Sequence, residues 1–235
     1  MRATILFLLP LFVLIGCIDV LEGTGPVMSE SRTLEAFEVI DSRSSADVTV
    51  HQTETAEQPK VVVKAQENLL PHIQTVVQGT RLVIDTEGSF STSEGIVVEV
   101  YTPVITKLVN DGSGNMDTAS RIRAKELEVI NQGSGNMMVG FNGDDIEVTN
   151  EGSGDIRLIG ECRDAELTNE GSGDIEANEL IANKADAVNE GSGNVYVHAI
   201  DELSIELSGS GNVEYEGDPQ NLETANSGSG KIDRD

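Results

Sequence analysis

Beyond residue 36 the chain alternates apolar and polar residues in short runs rich in β-branched side chains. Phe37-Glu-Val-Ile, Asp47-Val-Thr-Val-His-Gln, Lys60-Val-Val-Val-Lys-Ala, Arg81-Leu-Val-Ile and Ile96-Val-Val-Glu-Val all have this form. Period-two runs of four to six residues are half-buried strands, one face in and one face out. Glu67-Asn-Leu-Leu-Pro-His-Ile alone suggests a short helical turn. Between residues 110 and 235 no helical periodicity of useful length appears, so the expected class is all-β.

The strands recur with a fixed period. Gly-Ser-Gly occurs seven times, beginning at Gly112, Gly133, Gly152, Gly171, Gly191, Gly209 and Gly228, with spacings of 21, 19, 19, 20, 18 and 19 residues. A period near twenty means that each repeat is one unit stacked on its neighbours. Two positions before the tripeptide stand Asn110, Asn131, Asn150, Asn169, Asn189, Leu207 and Asn226. Two positions after it stand Met116, Met137, Ile156, Ile175, Val195, Val213 and Ile232. In the third copy Val148, Asn150, Gly152, Gly154, Ile156 and Leu158 share one parity, so an extended segment turns all six inward. The predicted fold is a right-handed parallel β-helix, a solenoid with about 19–20 residues per coil. Glycine serves where the wall closes on the interior and no side chain fits. The recurrent Asn is expected to form a buried ladder, each amide donating and accepting between coils, with Leu207 as an apolar gap. Seven coils at ~4.8 Å make a section roughly 30 Å long.

The rest of the chain divides around this section. Residues 32–108 lack the tripeptide and read as opening coils plus an irregular cap, which a stack of strand edges needs. Residues 109–235 are the repeat section, whose C-terminal end carries charge but little bulk. Residues 1–16 have a positive start and an apolar stretch interrupted by Pro10, too short to span a bilayer and suited to an export signal. Leu14-Ile15-Gly16-Cys17 resembles the lipobox of bacterial lipoproteins. The resemblance implies cleavage before Cys17, which would carry the lipid. Residues 17–31 show no periodicity and read as a tether off the membrane.

Composition narrows the partners. With 41 acidic against 15 basic side chains the net charge is −26, which excludes phosphate-rich nucleic acid and a polybasic grip on anionic lipid. The one other cysteine, Cys162, has no partner for an internal disulfide and reads as a small buried filler. The expected location is the bacterial cell envelope, with the chain held to a membrane, at its periplasmic face or the cell surface, through the lipid on Cys17.

Arg32-Thr-Leu-Glu-Ala-Phe37, Asp47-Val-Thr-Val-His-Gln52, Ala65-Gln-Glu-Asn-Leu69, Tyr101-Thr-Pro103 and the Asn-x-Gly-Ser-Gly-Asn/Asp repeats together resemble the bacterial GIN-domain family, described as putative auto-transporter adhesin heads. The likeness runs over about residues 32–235. It implies a β-helical fold and export to the envelope, frequently as a lipoprotein, with adhesion as the family's conjectured role. It carries over no catalytic residue.

The outward columns hold the candidate chemistry. Asp111, Gln132, Glu151, Glu170, Glu190, Ser208 and Ser227 form one; Asn115, Asn136, Asp155, Asp174, Asn194, Asn212 and Lys231 form another. Glu151, Asp155, Glu170 and Asp174 thus make a four-carboxylate patch, read either as a Ca²⁺ site or sugar platform, or as a solvated face that keeps a repetitive β-protein soluble. The second reading is preferred, since no Ca²⁺-binding spacing is present. β-Helices also house polysaccharide lyases and hydrolases, and Asp155, Arg157 and Asp174 supply the ingredients of that alternative. His51, His72 and His198 share no ligand spacing, so neither a metal nor a cofactor is expected. The preferred function is a non-enzymatic envelope lipoprotein for adhesion, recognition or structural support. Its partner would be a glycan or an envelope protein, and copies can associate through helix ends or sides. With aromatic residues at 3% and no Trp, a broad sugar-stacking platform is not expected.

Overall fold

The computed structural model describes residues 20–53 and 58–235; the signal segment, residues 1–16, and Cys17 lie outside the described residues. The chain enters through β1 (Val20–Glu22) and β2 (Val27–Thr33), then makes β3 (Val39–Ser42) and β4 (Asp47–Gln52). There follow β5 (Lys60–Gln66), a 3₁₀ turn at Leu70–His72, β6 (Ile73–Gln78), β7 (Arg81–Thr86), β8 (Ser89–Ser91) and β9 (Val97–Thr102). The repeat section holds β10 (Lys107–Asn110), β11 (Met116–Thr118), β12 (Ile122–Asn131), β13 (Met137–Asn150) and β14 (Ile156–Asn169). It ends with β15 (Ile175–Asn189), β16 (Val195–Leu207), β17 (Val213–Glu216), β18 (Asn221–Asn226) and β19 (Ile232–Arg234).

The result is an all-β solenoid with a repeat of about 19 residues. β13 lies parallel to β14 with Met137 opposite Ile156 and Asn150 opposite Asn169. Each inward residue therefore rests on its equivalent one coil away. Val129, Val148, Leu167, Ala187 and Ile205 form one buried column; Met116, Met137, Ile156, Ile175, Val195 and Val213 form a second. Each large aliphatic side chain so enclosed contributes roughly 1.5–3 kcal/mol. A slip of one residue would turn both columns outward, which is why the register holds along the rod.

Chain order and spatial order part company in the first half. β3 and β4 pair with β10 and β11 on one side, and with β7 and β9 on the other. The layer built from β7 and β9 thus lies outside the one that precedes it in sequence. Antiparallel strands end the stack there: β6 lies on β7, β5 on β9, and β2 on β5. Arg32 of β2, opposite the buried Val61, donates from its guanidinium to the carbonyls of Ile73 (2.6 Å) and Leu70 (3.1 Å), tying the cap across the core.

Part of the segment expected to be a tether is strand. β1 pairs in parallel with β8, and β2 is an exposed edge of the cap. No apolar alternation announced β2 because an edge strand this exposed has no face to bury. At the opposite end β18 rests on β16 and β19 on β17; among the described residues nothing pairs with their outer edges.

Candidate functional surface

The Gly-Ser-Gly segment is the most crowded part of each coil. A Cβ added at Gly173 would sit 2.1 Å from the carbonyl oxygen of Gly154, and one at Gly193 would sit 2.0 Å from that of Gly173. None of these glycines has a positive φ, so close approach of coil to coil, not backbone freedom, demands them. The backbone there is hydrogen-bonded coil to coil. Asn150 O accepts from Glu170 N and Gly171 N, both at 2.9 Å, and Gly152 O accepts from Ser172 N at 2.9 Å.

Asn110, Asn131, Asn150, Asn169 and Asn189 are fully buried and stand opposite one another in register; Asn189 faces Leu207, which faces Asn226 at the exposed end. Their amides do not bond to each other as a ladder requires. Each braces its own turn, as Asn169 does, its Nδ2 donating to Gly173 O at 3.0 Å and its Oδ1 accepting from Gly171 N at 3.2 Å, and Asn131 and Asn189 also donate to the next coil, to Gly154 O (3.1 Å) and Asn212 O (3.2 Å). The same Nδ2 bond forms at Asn110, Asn131, Asn150, Asn189 and Asn226. The carboxamide fits because its Nδ2 supplies a donor to the carbonyl at the end of the turn, while the N–H that its Oδ1 meets also donates to the previous coil.

A true inter-coil ladder exists one column away, in residues the sequence reading left to solvent. Asp47 Oδ1 accepts from Asn115 N (3.0 Å) and Asn115 Oδ1 from Asn136 N (3.0 Å). Asn136 Oδ1 accepts from Asp155 N (2.8 Å) and Asp155 Oδ1 from Asp174 N (2.9 Å). Asp174, Asn194 and Asn212 continue it to Asn194 N, Asn212 N and Lys231 N. Asn and Asp interchange here because both present an Oδ1 at the same reach. Lys231 has none, and the ladder stops.

This arrangement changes the four-carboxylate patch. Asp155 and Asp174 are held by backbone N–H groups, while Glu151 accepts from Gln132 Nε2 at 2.9 Å. Among the described residues no group of three or more His, Cys, Asp or Glu side chains is placed to hold a metal ion. Arg157, the base of the alternative reading, is paired with Glu179 and lies 3.7 Å from Glu176. His51 stacks on Tyr101 with ring centroids 4.4 Å apart, whereas His72 and His198 lie near Glu87 and Glu216, in separate elements. Cys162 is buried, and desolvation, with Asp164 and Asp145 adding to it, pushes its thiol up to about 12. Such a thiol is no nucleophile at neutral pH.

One exposed side of the rod carries a regular polar trough of about 530 Å³, bordered by Glu151, Glu170 and Glu190 and by the tripeptide serines. Its polar groups recur at the strand spacing of ~4.8 Å.

The family described as "Putative auto-transporter adhesin, head GIN domain" matches residues 36–219. Three of the solved structures that are similar illustrate the match. A putative adhesin from Bacteroides fragilis NCTC 9343 is 20% identical with a TM-score of 0.85, the match covering 92% of this chain and 100% of that one. A putative adhesin from Parabacteroides merdae ATCC 43184 is 21% identical with a TM-score of 0.73, covering 92% and 99%. A putative lipid binding protein from Parabacteroides distasonis ATCC 8503 is 23% identical with a TM-score of 0.76, covering 92% and 100%. At these identities the likeness is one of fold. No curated protein matches the chain in sequence.

Proposed function

The chain belongs to the family of putative auto-transporter adhesin head GIN domains, and from that membership we propose that it is an exported, envelope-anchored, non-enzymatic rod acting in adhesion, recognition or structural support. The observation that carries this reading is how its polar side chains are used. Asp155 and Asp174 hold backbone N–H groups of the next coil, and Arg157 is occupied by glutamates. The polar columns thus stiffen the rod and present an evenly spaced surface, which suits recognition. Solved structures of similar fold are described as putative adhesins, which agrees with the same role.

The proposed anchor is a lipid on Cys17. β1 begins at Val20, three residues on, a span of about 10 Å at full extension. Since β1 is paired to β8, which belongs to the cap end, this anchor sets the cap against the membrane and the C-terminal coil away from it. The proposed coiling is right-handed, as parallel crossover connections overwhelmingly are.

Two measurements test the reading. Cys17→Ala is expected to move the protein from the membrane fraction to the soluble fraction, and continued membrane retention would contradict the anchor. Incubation with acidic and neutral polysaccharides, with and without Ca²⁺, is expected to release no product. Cleavage abolished by Asp155→Asn or Arg157→Ala would instead make that face an active site.

A further inference from the structure

From the exposed apolar side chains at the cap end we infer a second membrane contact beside the lipid: Val20 of β1, Val27 and Met28 of β2 and Val76 of β6 rest in the headgroup layer of the bilayer that holds Cys17. This inference rests on the anchored reading and names the lipid surface as the partner of the cap.

Apolar surface left uncovered gathers at this end. Among the described residues nine large apolar side chains are exposed, and these four lie on the outermost strands of the cap, where β2 rests on β5, β6 on β7 and β1 on β8. Val20 and Val27 are more than half exposed, and Val76 nearly half. Met28 stands opposite the buried Ala65 and so shares its inward face, yet it is 46% exposed, because β2 is the last strand of that face. Apolar residues scattered singly over a surface are ordinary, but their concentration on terminal strands marks a contact. The boundary between headgroups and acyl chains covers side chains of this kind.

Reach identifies the occupant. Cys17 and Val20 are three residues apart, about 10 Å at full extension. The headgroup layer is itself roughly 5–8 Å deep on each side of a bilayer. A lipid on Cys17 therefore starts β1 within that layer or just above it, and the strands beside β1 come with it. Charge selects the same end. Residues 20–33 and 58–80, which build β1, β2, β5 and β6, set Glu22, Glu30 and Glu67 against Arg32, Lys60 and Lys64, whereas residues 126–235 carry 25 acidic and 5 basic side chains. An anionic leaflet repels the repeat section and lets the balanced cap approach. The contact is thus apolar, with no basic grip on lipid, in keeping with a net charge of −26.

The test uses the lipid-anchored chain in vesicles of neutral phosphatidylcholine. Val27→Cys, Met28→Cys and Val76→Cys are labelled singly with a polarity-sensitive fluorophore, with Ser172→Cys on the side of the rod as control; the buried Cys162 stays unlabelled. On reconstitution at least one of the three labels is expected to shift to the blue and lose quenching by aqueous iodide, while the control keeps its solution spectrum. Combining Val27→Asp with Met28→Asp is expected to restore iodide quenching at a Val76→Cys label, with an unchanged circular dichroism spectrum and unchanged flotation with the vesicles. No shift at any of the three positions, a shift as large at Ser172→Cys, or a Val76→Cys label still shielded in the charged variant overturns the inference. In each of these cases a chain that floats with the vesicles leaves the anchored reading in place; a chain that does not float removes both.

Discussion

At the scale of single residues, the repeat is a set of solutions to hydrogen-bonding and packing constraints. Asn169 satisfies the Gly173 carbonyl and shares the Gly171 N–H with Asn150 O inside the wall, while Glu170 next to it is in water. Asn169→Ala is therefore expected to lower unfolding stability by about 1–3 kcal/mol, and Glu170→Ala by no more than about 0.5; equal shifts in chemical denaturation would contradict the inward assignment. In the neighbouring column Asp155→Asn should be close to neutral, because the amide oxygen accepts from Asp174 N as the carboxylate does, whereas Asp155→Ala leaves that N–H without its partner. Gly173→Ala forces a methyl against the Gly154 oxygen and is expected to cost about 3 kcal/mol. Cys162, its thiol raised to about 12, is expected to resist thiol reagents at pH 8 until the protein unfolds. The positions of these residues were legible in the sequence, since periodicity and parity place them. Their bonding partners were not: parity tells inside from outside, but not whether an amide reaches the next coil or its own turn. A usable signal lay in the Asn/Asp-only column from Asn115 to Asn212, which solvent exposure alone does not require.

At the scale of the element, the coil is the unit. Asp145 stands opposite Asp164, so removing residues 145–163 joins two equivalent corners and leaves every later register intact. That deletion is expected to give a folded, shorter solenoid with an unchanged β-type circular dichroism spectrum; loss of the spectrum would contradict coil modularity. Repeats with the tripeptide were plain to read; β3 and β4 were legible as strands of the opening coils, but not as a coil equivalent to the repeats. There Ser42-Arg43-Ser44-Ser45-Ala46-Asp47 occupies the place of Asn-x-Gly-Ser-Gly-Asn, with Ser42 opposite Asn110 and Ser44 against Gly112. Small residues replace small ones, which preserves the packing while erasing the motif. The placement of β7 and β9 outside β3 and β4 leaves no trace in local periodicity either, because periodicity records burial and not neighbour order. In the cap, Glu99 of β9 is held below the usual carboxylate range, chiefly by the hydrogen bond from Lys64 of β5 at 2.9 Å. A lowered folded value adds stability that is present above the unfolded pKa of about 4.3 and is lost as the pH falls through the folded value. Lys64→Met is thus expected to lower the melting temperature at pH 7, with a difference from wild type that shrinks once the pH falls below the ordinary carboxylate range and vanishes below the folded value.

For the whole molecule, the balance of 41 acidic and 15 basic side chains opposes compaction and association alike. Added salt screens that repulsion, so melting temperature is expected to rise with ionic strength up to a few tenths molar; a fall would mean that local pairs such as Lys107–Glu128, at 2.6 Å, outweigh the global field. A rod with its polar trough along the side presents the same groups at every level, and the proposed role follows from that display. The most direct measurement is retention, under flow, of cells bearing the full chain on glycan-coated and protein-coated surfaces and on layers of one another, against cells bearing Cys17→Ala. The anchored chain is predicted to hold cells on at least one of these surfaces, with Arg157→Ala making no difference and Cys17→Ala abolishing retention. Equal retention by both strains, or depolymerisation of the glycan layer that Arg157→Ala prevents, would contradict the account.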